Sequence, residues 1–142
     1  MDLKDYLNKY DRFAAAAGAK VVEIGEGYAK AEMTVAEQHI NGAEVCQGGA
    51  IFTLADLAFA AVVNSGGKMT VGTANNITYL RPAKRGDVLT AVAREVSHPK
   101  LPFCEVMVTN QNGELVSVMT GNAYRKNIPL ISDNNIATSE AK

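Results

Sequence analysis

The chain has 142 residues, enough for one domain with a substantial core and too few for two. Apolar residues make up 47% and charged residues 20%, the balance of a soluble globular protein, and 14 basic against 15 acidic side chains leave no bulk field to draw the molecule onto nucleic acid or a membrane. Cys46 and Cys104 form neither a CxxC pair nor a disulfide framework, so reduced thiols and a cytoplasmic location are expected.

The opening Met1-Asp2-Leu3-Lys4-Asp5 is charged and lacks the apolar stretch of a secretory leader. Leu3, Tyr6, Leu7, Tyr10, Phe13, Ala14 and Ala17 recur at helical spacing, which predicts one amphipathic helix over about 2–18, ended by Gly18. Lys20–Ile24 reads as a strand, and Gly25-Glu26-Gly27 as a turn. In Tyr28–Val35 the side chains alternate, with Ala29, Ala31, Met33 and Val35 on one face. A polar loop over 36–47 leads to a helix over 48–64, apolar nearly all round and therefore buried. No run reaches the roughly 20 apolar residues of a membrane span.

The remainder reads as β-structure. Strands are expected over Met69–Leu80, Val88–Ser97, Phe103–Thr109 and Leu115–Arg125, with a turn from Arg81 to Asp87 and a hairpin signal at Asn110-Gln111-Asn112-Gly113. Four consecutive strands predict an antiparallel meander wrapped on the helix, an α+β domain over residues 1–127. Residues 128–142 read as a polar, disordered tail.

Asp56 carries the strongest functional signal. Apart from Thr53 it is the one polar residue between Ala50 and Val63, and a carboxylate in such a segment loses several kcal/mol of hydration unless it is paired or faces a wet cleft. Thr53, three residues earlier on the same face, is placed to hydrogen-bond it. Gly48-Gly49 opens the helix with backbone N–H groups that a ligand approaches closely, at the end of the helix dipole that favours developing negative charge. Asp56 lies about 12 Å along the helix from Gly48 by helical rise. One carbonyl is met by both more easily if the acid of one subunit faces the glycine of another.

Other residues carry blander readings. His39 and His98 lack ligand-spaced partners and read as structural or surface residues. Cys46 has no histidine at a diagnostic spacing and reads as a packing residue. Lys84-Arg85 reads as a solvated turn or as a phosphate contact.

His39-Ile40-Asn41, Gln47-Gly48-Gly49, Leu54-Ala55-Asp56, Leu80-Arg81-Pro82 and Gly86-Asp87, in this order and on a helix-then-strands pattern, resemble the hotdog-fold acyl-CoA thioesterases. Specifically, they are similar to the phenylacetate-degradation (PaaI-like) branch of the 4-hydroxybenzoyl-CoA thioesterase superfamily, over roughly residues 20–125. The resemblance implies a five- or six-stranded sheet curled round the central helix. It also implies a homodimer with a continuous sheet, often paired into a tetramer, with active sites at the dimer interface. It makes Asp56 the catalytic acid, Asn41 a residue that positions substrate or water, and Gly48 the donor that polarises the thioester carbonyl.

Gln47 departs from the histidine many relatives carry there, and a glutamine cannot titrate near neutrality. Gln47, Gly49 and Thr53 are expected to line the substrate site, and Arg81, Lys84 and Arg85 to meet the CoA phosphates, with Lys100 and Arg125 as further cations. No metal or organic cofactor is expected, nor a nucleic-acid or membrane partner. Two rival readings are a hydratase or dehydratase of acyl thioesters, whose sites usually pair a histidine with a carboxylate, and a non-catalytic acyl-CoA binding module.

Overall fold

A computed structural model describes residues 1–96 and 98–131. The expected terminal tail lies outside the described residues from 132 onward, but its first part does not. The last strand runs on to Pro129, and Leu130 is buried with its N–H donated to Gly67.

The N-terminal pattern forms two helices rather than one, α1 (Leu3–Tyr10) and α2 (Arg12–Ala16). Asp2 caps the first through the Asp5 N–H at 2.8 Å, and Asp11 caps the second through the Ala14 N–H at 3.0 Å. An aspartate that accepts from the N–H three residues on starts a new helix there. The apolar spacing continues across the junction, so periodicity alone does not reveal the break.

Strands β1 (Lys20–Gly25) and β2 (Tyr28–Thr34) form a hairpin, and one 3-10 turn (Glu37–His39) precedes the central helix α3 (Gly48–Val63). Strands β3 (Lys68–Tyr79), β4 (Val88–Val96), β5 (Phe103–Thr109) and β6 (Leu115–Pro129) complete a six-stranded antiparallel sheet in the order β1-β2-β4-β5-β6-β3. The four late strands are therefore not a simple meander. Helix α3 crosses the sheet and delivers β3 to the far edge beside β6, while β4 returns to pair with β2. This is the α+β hotdog arrangement, with the sheet curled round one long helix.

Small residues let helix and sheet approach closely. Ala29 faces Ala93 and Ala31 faces Ala91 across the β2–β4 ladder, and all four are fully buried. Leu54, Ala55, Leu57, Ala58, Ala61 and Val62 of α3 share their core with Met33, Leu89, Val106, Val108 and Met119 from the sheet. Each fully buried large aliphatic side chain contributes about 1.5–3 kcal/mol.

Two polar clusters end α3. The Asn64 amide donates to Ala60 O at 2.8 Å and its Oδ1 accepts from Thr70 N at 2.8 Å. Arg125 reaches from β6 to donate to Val63 O at 3.0 Å, Thr70 Oγ1 at 3.2 Å and His98 O at 3.1 Å, and pairs with Glu95 at 2.6 Å. Its guanidinium thus ties the carboxyl end of α3 to β3 and β4. The expectation of Arg125 as a CoA cation is corrected, because its donors are engaged inside the fold.

The two sheet edges differ. On β1, the Asn8 side chain accepts from Val21 N at 2.8 Å and donates to Val21 O at 2.9 Å, so α1 occupies part of that edge. Strand β3 pairs on one side only, and its residues 72–76 are exposed.

Candidate active site

Asp56 projects from α3 into an open depression of about 520 Å³ lined by Asp11, Phe13, Ala14, Gly49, Phe52, Thr53 and Asn75. The residue is exposed in the single chain, unlike the buried acid expected from its neighbours in sequence. The helix turns most of its apolar surface to the sheet, and Asp56 lies on the face that Gly49, Phe52 and Thr53 present to the cleft. Thr53 does not bond Asp56; its hydroxyl donates to Gly49 O at 2.8 Å, one turn back. The partner is Asn75 on β3, whose amide stands 3.4 Å from Asp56 Oδ1. Desolvation in the depression holds the Asp56 carboxyl above the ordinary carboxylate range, and the negative charge of Asp11 adds to the shift.

Gly48, the first residue of α3, faces a neighbouring depression. Gln47 precedes the helix in extended conformation without capping it through its side chain, and the N–H groups of Gly48 and Gly49 make no hydrogen bond among the described residues. Tyr79, on β3, donates its hydroxyl to Gly48 O at 2.8 Å. A Cβ at residue 48 would stand 2.8 Å from the Tyr79 ring, so with glycine there the ring lies closer than any side chain would allow without moving it. Gly48 and Tyr79 line a second depression of about 420 Å³ with Cys46, Ile51, Leu80 and Pro82. Gly49 borders the Asp56 depression and, with Gln47 and Thr53, a third of about 360 Å³ beside Phe13 and His39.

His39 is buried at 5% exposure and holds the entry loop together. Its Nδ1 accepts from Ala36 N at 2.9 Å, which leaves Nε2–H to donate to Ala17 O at 2.6 Å. Both ring nitrogens are spent on backbone groups, so this histidine is structural.

Asn41 organises the loop before α3. Its Oδ1 accepts from Ala43 N at 2.9 Å and Val45 N at 3.3 Å, and the backbone closes from Asn41 N to Val45 O at 2.8 Å. Glu44 adopts a left-handed φ of 65° in this turn. The loop is tied to the 81–87 segment by Cys46 N donating to Ala83 O at 2.8 Å.

The expected cations do not form one cluster. Arg85 bridges Glu37 at 2.5 Å and Glu44 at 3.4 Å, and Arg81 pairs with Glu114 at 2.9 Å. The Lys84 side chain forms no ion pair among the described residues and lines, with Arg81, Asp87 and Glu114, a depression of about 250 Å³.

Burial pushes the Cys46 thiol up to about 11, with help from the Asp87 charge, and the Cys104 thiol up to about 12. Neither is a ready nucleophile. Among the described residues no group of His, Cys, Asp and Glu is arranged to hold a metal ion, and no helix is long and apolar enough to cross a membrane.

Asn75 and Tyr79 escape sequence reasoning. Both stand on the helix-facing side of β3 with Ile77 between them, a period-two pattern visible in Asn75-Asn76-Ile77-Thr78-Tyr79. What the pattern lacks is the knowledge that β3 lies beside α3 at the sheet edge.

The chain is similar to known proteins over most of its length. The family model described as Thioesterase superfamily matches residues 44–117. A protein of Archaeoglobus fulgidus, provisionally named an esterase, is 42% identical over 88% of this chain and 82% of its own. The acyl-coenzyme A thioesterase PaaI of Escherichia coli is 38% identical over 81% of this chain and 83% of its own. The solved structure of the E. coli PaaI protein superposes with a TM-score of 0.83, covering 90% of this chain and 99% of that one at 32% identity. A Streptococcus mutans protein solved with acetyl-CoA bound superposes at 0.73, covering 76% of this chain and 88% of the other at 28% identity. The chain belongs to the thioesterase superfamily, in the PaaI-like branch of its hotdog-fold enzymes.

Proposed function

We propose that this enzyme hydrolyses acyl- or aryl-CoA thioesters to the free acid and CoA. The observation that carries the reading is the pairing of two features of one helix: unbonded N–H groups at its amino end and a carboxylate two turns on that opens to a cleft. As the carbonyl carbon becomes tetrahedral, negative charge grows on its oxygen. The Gly48 N–H, at the positive end of the α3 dipole, meets that charge, and loss of one such donor typically costs about 3 kcal/mol of transition-state stabilisation. Water oxygen joins the carbonyl carbon, the C–S bond breaks, and the CoA thiolate takes up a proton. Asp56 serves as the base for that water or attacks the carbonyl itself to give a mixed anhydride; after single turnover in ¹⁸O-water, label found in Asp56 marks direct attack followed by hydrolysis at the Asp56 carbonyl.

Gly48 and Asp56 face different depressions of one chain, which supports a site shared between two subunits. The open edge of β3 supports the same assembly, since two copies pairing there continue the sheet and bring each Asp56 towards the other's α3. We read a homodimer, paired further into a tetramer. Asn41 acts by holding the loop that leads into Gly48. Lys84, with Arg81 beside it, is the cation offered to the CoA phosphates. The two free buried thiols support the cytoplasm as its compartment, and the reaction needs no metal or organic cofactor.

His39 spends both ring nitrogens on backbone groups, which argues against a hydratase site built on it. The test is release of free thiol from a panel of acyl-CoAs, followed with a thiol reagent. Saturable turnover of at least one thioester is expected. Saturable binding without thiol release across aryl, short and medium acyl groups would overturn the reading.

A further inference from the structure

Asn75 stands on the edge strand, exposed, where a polar side chain needs no explanation by itself. Its surroundings are more specific. In the β3–β6 ladder Asn75 is directly opposite Gly121, and a Cβ at residue 121 would overlap Asn75 Oδ1 and stand 2.5 Å from the Phe59 ring. A Cβ at Gly72, on β3 itself, would stand 3.1 Å from the same ring and 3.7 Å from Asn75 Nδ2. Two glycines therefore clear a slot in which the Asn75 amide lies against β6, backed by Phe59 of α3. In that slot Oδ1 turns to Gly121 and Nδ2 turns to Asp56 Oδ1 at 3.4 Å. The reverse orientation would set an amide oxygen against a carboxylate.

We propose that Asn75 is a positioning residue for Asp56: its amide, seated over Gly121, donates to one carboxylate oxygen and leaves the other to the reaction. This rests on the thioesterase reading of Asp56. The amide favours the ionised acid and fixes its plane. It thereby opposes two influences that favour the neutral form, desolvation in the depression and the charge of Asp11. Asp11, from the α1–α2 junction, is the other ionisable residue lining that depression; Gly49, Phe52 and Thr53 of α3, Phe13 and Ala14 of α2 and Asn75 of β3 carry no charge. An acid that must be ionised to accept a proton or to attack depends on such a donor most at low pH.

The test is the pH dependence of kcat and KM for an acyl-CoA that the wild type turns over, measured on Asn75→Leu, Asn75→Asp and Asp56→Asn. Leucine keeps the size of the amide and removes the donor. Asn75→Leu is expected to lose about tenfold in kcat, with KM within about twofold, and to move the acid limb of kcat up by about one pH unit. Asn75→Asp is expected to move that limb further, because a second carboxylate opposes ionisation of the first. Asn75→Ala carries the leucine expectation if leucine disturbs folding, as judged by the melting temperature. An unmoved acid limb in the donor-free variants overturns the role, whatever happens to kcat, since a merely structural loss lowers turnover at every pH. If Asp56→Asn is inactive while Asn75→Leu matches the wild type, Asn75 alone is misassigned. If Asp56→Asn keeps its turnover, the reading of Asp56 fails and this role with it.

Discussion

Tyr79 lies directly over Gly48: its hydroxyl donates to the Gly48 carbonyl at 2.8 Å, and its ring occupies the space a side chain at residue 48 would need. The glycine that opens α3 is therefore fixed by a contact from the edge strand as well as by any ligand. Gly48→Ala pushes the exposed end of the Tyr79 ring aside and breaks its hydrogen bond to the Gly48 carbonyl. We expect thiol release to fall by about tenfold or more, with a lowered melting temperature. Tyr79→Phe keeps the ring and loses one hydrogen bond, so its kcat is expected to fall only a few-fold. Equal losses in the two variants would mean that the hydroxyl, not the space at Gly48, matters.

Asp56→Asn is expected to retain less than a tenth of wild-type turnover while remaining folded. The same change should raise the melting temperature at neutral pH. Asp56 titrates above its ordinary range in the fold, so the folded state binds its proton more tightly than the unfolded chain does. Ionised Asp56 therefore works against folding above its folded pKa. That penalty disappears as pH falls through the shifted pKa, and the gain in melting temperature should vanish there. Thermal scans at neutral and acid pH, beside turnover, test both halves.

Asn41→Ala removes the acceptor that closes the 41–45 turn at two backbone N–H groups. A stability loss of about 1–2 kcal/mol is expected, with a smaller fall in kcat than Asp56→Asn, because the change loosens the entry to α3 and removes no reacting group. Denaturant titration and turnover of both variants decide it. An activity loss as large as that of Asp56→Asn would give Asn41 a direct part in the chemistry.

Cys46 borders the Gly48 depression, yet its thiol titrates at about 11 and is buried. Iodoacetamide at neutral pH is expected to leave turnover unchanged, and Cys46→Ala to keep kcat within about twofold. Rapid inactivation with one alkylated Cys46 would make it a nucleophile after all.

The open edge of β3 predicts self-association. Light scattering at micromolar concentration is expected to give a dimer or a larger even-numbered assembly. A Gly48→Ala variant mixed with Asp56→Asn should turn over faster than either alone if subunits exchange, because one of the mixed sites has both wild-type groups. A stable, fully active monomer would place Gly48 and Asp56 in one chain's site.

Much of this enzyme is legible in its sequence. The apolar run from Ala50 to Val63 determines a buried helix because only a sheet wrapped round it removes so much apolar surface from water. Strand alternation in Tyr28–Val35 and Val88–Val96 determines which face is core, and the lone Asp56 and the Gly-Gly entry mark the candidate chemistry. The break at Asp11 comes from a local cap that periodicity does not register, whereas the place of β3 at the far edge was decided by tertiary structure, through the crossing of α3 under the sheet. The exposure of Asp56, its bond to Asn75 in place of Thr53, and the engagement of Arg81, Arg85 and Arg125 with carboxylates were decided there too. The physical reason is common to all of them. Local sequence sets spacing and polarity, but hydrogen bonds and ion pairs between residues 19, 30 or 48 positions apart exist only once the ladder register has brought their strands and helices together.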